Sequence, residues 1–378
     1  MHISNTYFET RKPTSKLATY GRSKEKRSDC PIVVFTGVIN AQGFIRHSRI
    51  YEGNKPDGAT LNDMVADLSK YTSSITKPTV VMDAGIASED NLLMLQEKGF
   101  KYVCVSRKRL SDYALSEEKV IALTDRDSNK VELSIFKPPG YNDTWMYVQS
   151  EAKKAKESSM ELKLEQRFID DLLEIQRALH LPRGTKKVEK VWERIGRAKE
   201  KHSRAAVRYE IDVNQNNGIA TEINWIIKPN VSREDKTNGV YFIRTNYENP
   251  AEKELWDIYN TIREVESTFR CLKSDLQIRP VHHQNDSRIE AHIYLTILAY
   301  QLVNTIRHSL KKENIHFSWS NVLRLMSTQT MQTIELVTDK KRIHLRKPSK
   351  PIKEVEKIYQ TTNCKSLKPA VKTNVVYH

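Results

Sequence analysis

The chain has 378 residues and a formal net charge of +15. Hydrophobic residues make up 38% of it, which is enough for two or more packed cores at this length. No apolar run approaches the roughly 18 to 20 residues of a transmembrane helix, and the start MHISNTYFETRK lacks the apolar segment of a signal peptide. These features exclude a membrane partner and favour a polyanion, most simply nucleic acid, over a merely solvated basic surface.

Two classes of site are excluded by their motifs. The sequence has neither GxGxxG nor GxxxxGK[ST], so no nucleotide-binding loop is predicted. The cysteines stand far apart without a CxxC pair, which argues against a zinc site and for a reducing compartment. They are Cys30, Cys104, Cys271 and Cys364.

The first hundred residues alternate strand and helix patterns. A turn at NAQG with Gly43 predicts a hairpin, and Ser88 and Gly99 are typical of the start and stop of a helix. The order β-β-β-α-β-α-β places three neighbouring strands before parallel crossovers, which indicates an α/β fold with an RNase H-like core, a mixed sheet with flanking helices. The predicted elements are strands at 3–9, 32–38 and 44–53, a helix at 57–72, a strand at 79–82, a helix at 88–99 and a strand at 100–106.

The pattern changes after residue 107. Strand-like segments (KVELSIF, AAVRYEIDV, ATEINWIIK, GVYFIRT) accompany a long charged helical stretch from about 148 to 180, which predicts a β-rich insertion with a helical arm. The last 40 residues are basic and contain prolines, and we expect a solvated tail. The predicted organisation is the first part of the core at 1–107, the insertion at 108–246, the C-terminal helical part of the core at 247–312, and a C-terminal helix with the basic tail at 313–378.

The stretch REVESTFRCLK, residues 263–273, has an unusual charge pattern within a predicted helix. At about 100° per residue, one stripe holds a single acid among cations and an aromatic residue. An exposed ion pair between Glu266 and Arg270, worth about 0.3–0.5 kcal/mol, is the simplest structural explanation. The core face carries Ile258, Ile262, Val265, Phe269, Leu272 and Leu276, and the charged stripe carries Tyr259, Arg263, Glu266, Arg270 and Lys273.

Asp83 is the second acid of interest. It ends the predicted strand TVVM and precedes Ala84 and Gly85, and ligand sites of open α/β sheets lie at the carboxyl ends of strands. The alternative is an aspartate that begins a turn. Two-metal phosphoryl transfer needs acids that converge from different elements, and Asp83 with Glu266 would supply two of them. The neighbouring cations would then hold a phosphodiester backbone.

Taken in order, several stretches resemble a known family. The chain looks like a bacterial insertion-sequence transposase of the DDE type from about residue 3 to 312, through a set of motifs that is specific only as an ordered whole. The motifs are S-N-T-Y-F-E near the start, G-R-S-K-E-K-R at 21–27, Y-E-G-N at 51–54, M-D-A-G-I-x-S-x-x-N at 82–91, Y-F-I-R-T-N at 241–246, Y-x6-E-x6-K at 259–273, and L-K-S-D-L-Q-I-R-P-V-H-H followed by H-I-Y-L-T-I-L-A.

The resemblance implies an enzyme that cuts and transfers strands of double-stranded DNA at transposon terminal repeats and target sites. It further implies two Mg²⁺ ions, a homodimer in the full-length form and a location on the nucleoid in the bacterial cytoplasm. Asp83 matches the family's second acid and Glu266 its third. A water would be the first nucleophile, and the freed 3′-hydroxyl the second.

DNA-contacting residues are also implied by the resemblance. Tyr259 and Lys273 match the tyrosine and lysine of the family's Y-R-E-K helix, which hold terminal phosphates. The motif's arginine falls at Ile262 on the core side, and Arg263 lies one residue later on the correct face; Arg270 shares that stripe. Trp225, in INWII, lies where such families use a tryptophan for a displaced base, although a packed strand aromatic is the favoured alternative.

The chain departs from the family at its start. The pattern D-x-[ST]-x-x-Y-F-E begins here with His2, and the nearest acids, Glu9 and Asp29, do not match. The family's N-terminal DNA-binding region is also missing, so we expect a truncated copy. Mg²⁺ prefers oxygen ligands to imidazole, so we expect impaired catalysis. The alternatives are an inactive remnant that only binds DNA and an unrelated RNase H-like nuclease.

Three further histidines carry weaker predictions. His282 and His283 are adjacent, so their side chains point apart, and a loop that contacts DNA or solvent is favoured over a zinc pair. His292 lies in the apolar run HIYLTILAYQLV and is predicted to make a core or helix contact.

Overall fold

The protein is described by a computed structural model that divides into two compact units. The first unit contains Met1–Arg107 and Lys253–His378, and the second contains Lys108–Glu252. Both combine helices with strands, and the strand pairs include parallel and antiparallel ones, so the architecture is mixed α/β. The described residues are 1–9, 15–71, 77–108, 110, 113, 120–125, 127–229, 237–339, 341–364 and 372–377.

The N-terminal part of the first unit follows the predicted order of elements. Three antiparallel strands lie in the order β1-β2-β3, and β4 pairs in parallel with β5 after one helical crossover. Residue 72, the last of the first predicted helix, lies outside the described residues. The elements are β1 (His2–Tyr7), β2 (Ile32–Ile39), β3 (Ile45–Glu52), α1 (Asp57–Tyr71), β4 (Val80–Met82), α2 (Glu89–Glu97) and β5 (Tyr102–Val105).

Local signals in the sequence explain these boundaries. Gly43 has φ of +86° in the β2–β3 turn, and Gly99 has φ of +71° directly after the C-cap of α2. The Ser88 side chain accepts a hydrogen bond from the Asn91 amide, which confirms the predicted N-cap. Apolar residues of β1, α1, β4 and α2 then form one continuous core, including Ile3, Leu61, Met82 and Leu95.

The second unit contains antiparallel strands in the order β6-β7-β8-β11 and a separate β9–β10 hairpin packed on helices. The predicted strand AAVRYEIDV is wrong in its first part, because Ala205 and Ala206 belong to a short helix and the strand begins at Tyr209. The elements are β6 (Ile121–Thr124), β7 (Lys130–Phe136), β8 (Thr144–Ser150), α3 (Glu151–His180), α4 (Val188–Lys201), α5 (Ser203–Ala206), β9 (Tyr209–Asn216), β10 (Ile219–Ile227) and β11 (Val240–Thr245).

The helix predicted through residues 258–276 is interrupted twice. It consists of α6 (Glu252–Asn260), α7 (Ile262–Arg270) and a π-helical turn (Cys271–Asp275). At the first break the Thr261 hydroxyl donates to the Ile258 carbonyl over 2.7 Å. In the π turn the Leu276 amide donates to the Cys271 carbonyl, five residues earlier. Lys273 is therefore rotated away from its place in an uninterrupted α-helix.

The last part of the first unit is more regular than the sequence indicates. The expected basic tail contains a three-stranded antiparallel sheet and a helix, because Ile343 and Leu345 alternate with the basic residues of KRIHLRKP. Ile343 pairs with Leu336 on one neighbouring strand and with Val375 on the other, and Leu345 pairs with Ile334. The elements are α8 (Asp286–Lys312), α9 (Trp319–Met326), β12 (Met331–Thr338), β13 (Lys341–Pro348), α10 (Lys353–Thr361) and β14 (Lys372–Tyr377). None of the helices in the described ranges is long and apolar enough to cross a membrane.

The segment before β2 is held against the first sheet at a glycine contact. Thr19 and Ile32 exchange backbone hydrogen bonds of 3.1 and 2.9 Å, and the Gly53 amide donates to the Leu17 carbonyl. A Cβ atom on Gly53 would overlap the carbonyl oxygens of Ile32 and Thr19. Only glycine fits here without displacing backbone.

We predict that Gly53→Ala lowers the free energy of unfolding by about 1–3 kcal/mol, because the added methyl group meets rigid backbone. Denaturant unfolding of the purified variant measures this loss. Gly58→Ala is the control, since its Cβ would meet only the Asn91 side chain at 3.8 Å. Equal stability of the two variants would contradict the close approach at Gly53.

Candidate functional site

The start of β1 and the end of β4 meet at a histidine and an aspartate. His2 Nδ1 lies 2.9 Å from Asp83 Oδ2. The Met1 amino group donates to the Val81 carbonyl over 2.6 Å, which fixes the beginning of β1 beside β4. Val80 and Met82 of β4 are buried in the core. Asp83 follows the strand directly and is half-buried.

The loop after Asp83 is held by an arginine. The guanidinium of Arg107, just beyond β5, donates hydrogen bonds to the carbonyl oxygens of Ala84 and Gly85. Because these bonds use backbone acceptors, they orient the turn without neutralising the carboxylate of Asp83. The predicted position of Asp83 at the carboxyl end of a strand is confirmed.

Asp83 is ionised in the neutral pH range. Burial opposes its ionisation, but the hydrogen bond from His2 and the positive charges around it outweigh burial and lower the pKa of Asp83. An ionised carboxylate only accepts hydrogen bonds, so Nδ1 of His2 carries the proton that joins the two groups. One oxygen of Asp83 is thereby engaged within the protein.

Helix α7 packs against the same place. The His2 ring lies 4.4 Å from the ring of Phe269, between centroids, and Phe269 is stacked on Phe35 at 5.6 Å. Phe269 is buried, whereas Glu266, one helical turn earlier, is exposed. His2 thus contacts both the strand that carries Asp83 and the helix that carries Glu266.

Tyr259 provides the electrostatic link between the two acids. Burial first, and then the negative charges of Asp83 and Glu266, raise the pKa of Tyr259 to about 12, while Arg263 acts in the opposite direction. Because electrostatic interactions weaken with distance, the effect of both carboxylates on the pKa of Tyr259 indicates that the three side chains are near one another. Its hydroxyl therefore keeps its proton at neutral pH.

The charged stripe is only partly assembled as predicted. Arg263 is half-buried and Arg270 is exposed, both on α7 with Glu266. No ion pair joins Glu266 to Arg270 among the described residues, which leaves the simplest structural explanation without support. Lys273 turns elsewhere: its Nζ atom lies 3.5 Å from Glu25 Oε1.

The residues of this site do not complete a set of ligands for two Mg²⁺ ions. Asp83 and Glu266 supply carboxylates, but the third group is the imidazole of His2, which already binds Asp83. Mg²⁺ takes oxygen ligands almost exclusively. Within the described part of the chain, no group of three or more histidine, cysteine, aspartate and glutamate side chains forms a metal centre.

The other predicted residues make contacts of their own. Trp225 belongs to the second unit and packs against its hydrophobic cluster, as expected for a strand aromatic. His292 lies 3.2 Å from the Ile278 carbonyl and contacts the ring of His283, as predicted for a helix-contact histidine. His282 and His283 are exposed.

Sequence analysis missed Glu25 and Arg279, which lie beside Lys273. Arg279 donates to Glu25, and the Asn5 amide donates to the other oxygen of Glu25 over 2.9 Å. A usable signal was present, because Glu25 is a lone acid in the basic run GRSKEKR, the same pattern that singled out Glu266.

Comparison with known proteins agrees with the resemblance seen in the motifs. A family model described as a transposase DDE domain matches residues 8–302, which is most of the chain. The match begins just after β1, so it includes Asp83 and Glu266 and leaves out His2. No curated protein matches the chain.

We predict that neutralising either acid lowers the pKa of Tyr259, because each negative charge disfavours the phenolate. Ultraviolet titration of Asp83→Asn and Glu266→Gln, with Tyr259→Phe to assign the signal, measures the change. Asp257→Asn, an exposed acid on α6, is the control and should leave the titration unchanged. If Tyr259 titrates at the same pH in all variants, the two acids do not converge on it.

Proposed function

Because this chain belongs to the family of DDE transposases, we propose that it cleaves and transfers DNA strands at transposon ends, with activity impaired by His2. The contact of His2 with Asp83 is the observation that carries the proposal. It puts an imidazole where the family pattern has its first acid, next to the residue that matches the second.

The proposal includes the family's metal chemistry. DDE transposases use divalent ions, and we propose that two Mg²⁺ ions are the natural set for this site when its first position is an aspartate. Asp83 and Glu266, together with an acid at position 2, would hold such ions, whose chemistry would be to activate a water or a 3′-hydroxyl and to stabilise the leaving oxygen. Among the described residues of this site, Asp83 and Glu266 offer carboxylates, and Asp83 is held by His2.

The remaining side chains would bind and orient DNA. Tyr259 would donate its hydroxyl to a phosphate oxygen, since it stays neutral below about pH 12. Arg263, Arg270 and Lys273 would contribute positive charge along the backbone. Trp225 would stack on an unpaired base from the second unit.

We further propose the arrangement that these roles require. The first unit would be an RNase H-like core, and the second its β-rich insertion, with α3 as the helical arm. The active form would be a homodimer on double-stranded DNA carrying terminal repeats and target sites. It would work on the nucleoid in the bacterial cytoplasm.

A second function is supported by the same contact. If His2 disables the acids completely, the chain is an inactive remnant that only binds DNA. The net charge of +15 would keep affinity for the phosphate backbone, and the incomplete ligand set would prevent cleavage. The two functions differ in whether any metal-dependent cleavage remains.

We predict that His2→Asp raises Mg²⁺-dependent nicking by at least about tenfold, because a third carboxylate completes the ligand set. The assay uses a supercoiled plasmid that carries the DNA flanking the gene, with and without a chelator. His2→Asn is the matched control, since it removes the imidazole without adding charge.

The outcome separates the two functions. Residual nicking by the unaltered chain that disappears in Asp83→Asn supports an impaired enzyme, and nicking only in His2→Asp supports the remnant. A rate in His2→Asp equal to that in His2→Asn would contradict the role given to position 2.

A further inference from the structure

The basic loop, residues 21–27 with the sequence GRSKEKR, holds its one acid inward. The Glu25 side chain is 21% exposed, whereas Lys24 and Lys26 on either side are exposed. The Lys24 amide donates to Asn5 Oδ1 over 3.2 Å, so the loop is fastened to β1 next to the acid. Glu25 is therefore a fixed group rather than a surface charge.

Both oxygens of Glu25 are engaged by other parts of the first unit. Oε2 accepts a hydrogen bond from Asn5 Nδ2 at 2.9 Å. Oε1 accepts from Arg279 and lies 3.5 Å from Lys273 Nζ. The carboxylate of Glu25 thus joins Lys273 of the π-helical turn to Arg279 of the loop that follows it. Both cations are more than 240 residues away from Glu25 in sequence.

The charges in this cluster are mutually dependent. Burial opposes ionisation of Glu25, but the hydrogen bond from Asn5 and the charges of Lys273 and Arg279 lower its pKa overall. Burial lowers the pKa of Lys273, and Glu25 acts in the opposite direction. Glu25 therefore favours the charged form of a lysine whose side chain is only 18% exposed.

The cluster keeps one positive charge in excess, two cations against one anion. An ammonium group has three donors and a guanidinium five, and Glu25 uses only some of them. Two cations that one carboxylate holds side by side suit a phosphate, which accepts several charge-assisted hydrogen bonds at once.

We propose that Glu25 is a positioning residue that holds Lys273 and Arg279 together as a site for one phosphate of the DNA backbone. The inference rests on the proposed function, since it assigns Lys273 to DNA, and it adds Glu25 and Arg279. The opposite arrangement is a Glu25 that imitates a phosphate and blocks the site until DNA displaces it. A neutral residue at position 25 would weaken DNA binding if Glu25 positions the cations, and would strengthen it if Glu25 blocks the site.

The first test measures affinity for a DNA duplex as a function of salt concentration. For Glu25→Gln we expect affinity about three- to tenfold weaker and a salt slope smaller by about one. Glu9→Gln, an exposed acid that follows β1, is the matched control and should bind DNA equally or slightly more tightly. Tighter binding by Glu25→Gln would overturn the proposal in favour of blocking.

A chain without the two cations shows whether Glu25 acts by positioning them or through a general effect on folding. If Glu25 acts through the two cations, Glu25→Gln has no further effect in a chain that already carries Lys273→Gln and Arg279→Gln. Glu25→Asp retains the charge and should recover part of the affinity. If Glu25→Gln does not fold, Lys273→Gln and Arg279→Gln alone should each reduce the slope by about one, and unchanged slopes would overturn the site.

A measurement without DNA tests whether Glu25 holds Lys273. Loss of Glu25 favours the neutral amine, so acetylation of Lys273, followed by mass spectrometry, should be faster in Glu25→Gln relative to the exposed Lys312. An unchanged rate would overturn the positioning role. A parent chain that fails to bind DNA would instead overturn the proposed function and the phosphate site with it, whatever the acetylation rate.

Discussion

The contact between His2 and Asp83 is the interaction on which the rest of the site depends. It joins the start of β1 to the end of β4, and the packing of His2 on Phe269 adds α7 to the same place. An aspartate at position 2 would put like charges side by side, which is unfavourable unless a bound cation or a shared proton offsets the repulsion. The imidazole of His2 stabilises the site without a bound cation. It does this by binding an oxygen of Asp83 that a metal ion would need.

Glu266 and Glu25 are both single acids among cations in the sequence, but they differ in their exposure to solvent. Glu266 stays exposed on α7, where its charge reaches Tyr259. Glu25 is drawn inward between Lys273 and Arg279. A cation left alone at that depth would lose its solvation without a partner, so the inward acid allows positive charge to be built into a half-buried surface.

Local chemistry made much of the fold predictable. Gly43, Ser88 and Gly99 each act within a few residues, and the order of the first seven elements follows from such signals together with the apolar pattern. The break at Thr261 and the π turn were not predicted, because a hydroxyl bond and a five-residue hydrogen bond leave the apolar spacing intact. The contact of Lys273 with Glu25 depends on that turn and on a loop far away in sequence, so no local pattern indicates it. The strand β13 does show the alternation of apolar and basic residues that is typical of a strand, but its high positive charge favoured the prediction of a solvated tail.

The number of metal ions that the unaltered chain binds shows whether His2 prevents Asp83 and Glu266 from holding the ions used by the family. Titration with Mn²⁺, followed by electron paramagnetic resonance, counts bound ions without requiring DNA or catalysis, and His2→Asp provides the comparison. We expect the unaltered chain to bind at most one ion, weakly, and His2→Asp to bind two. Two ions bound by the unaltered chain as tightly as by His2→Asp would contradict this expectation.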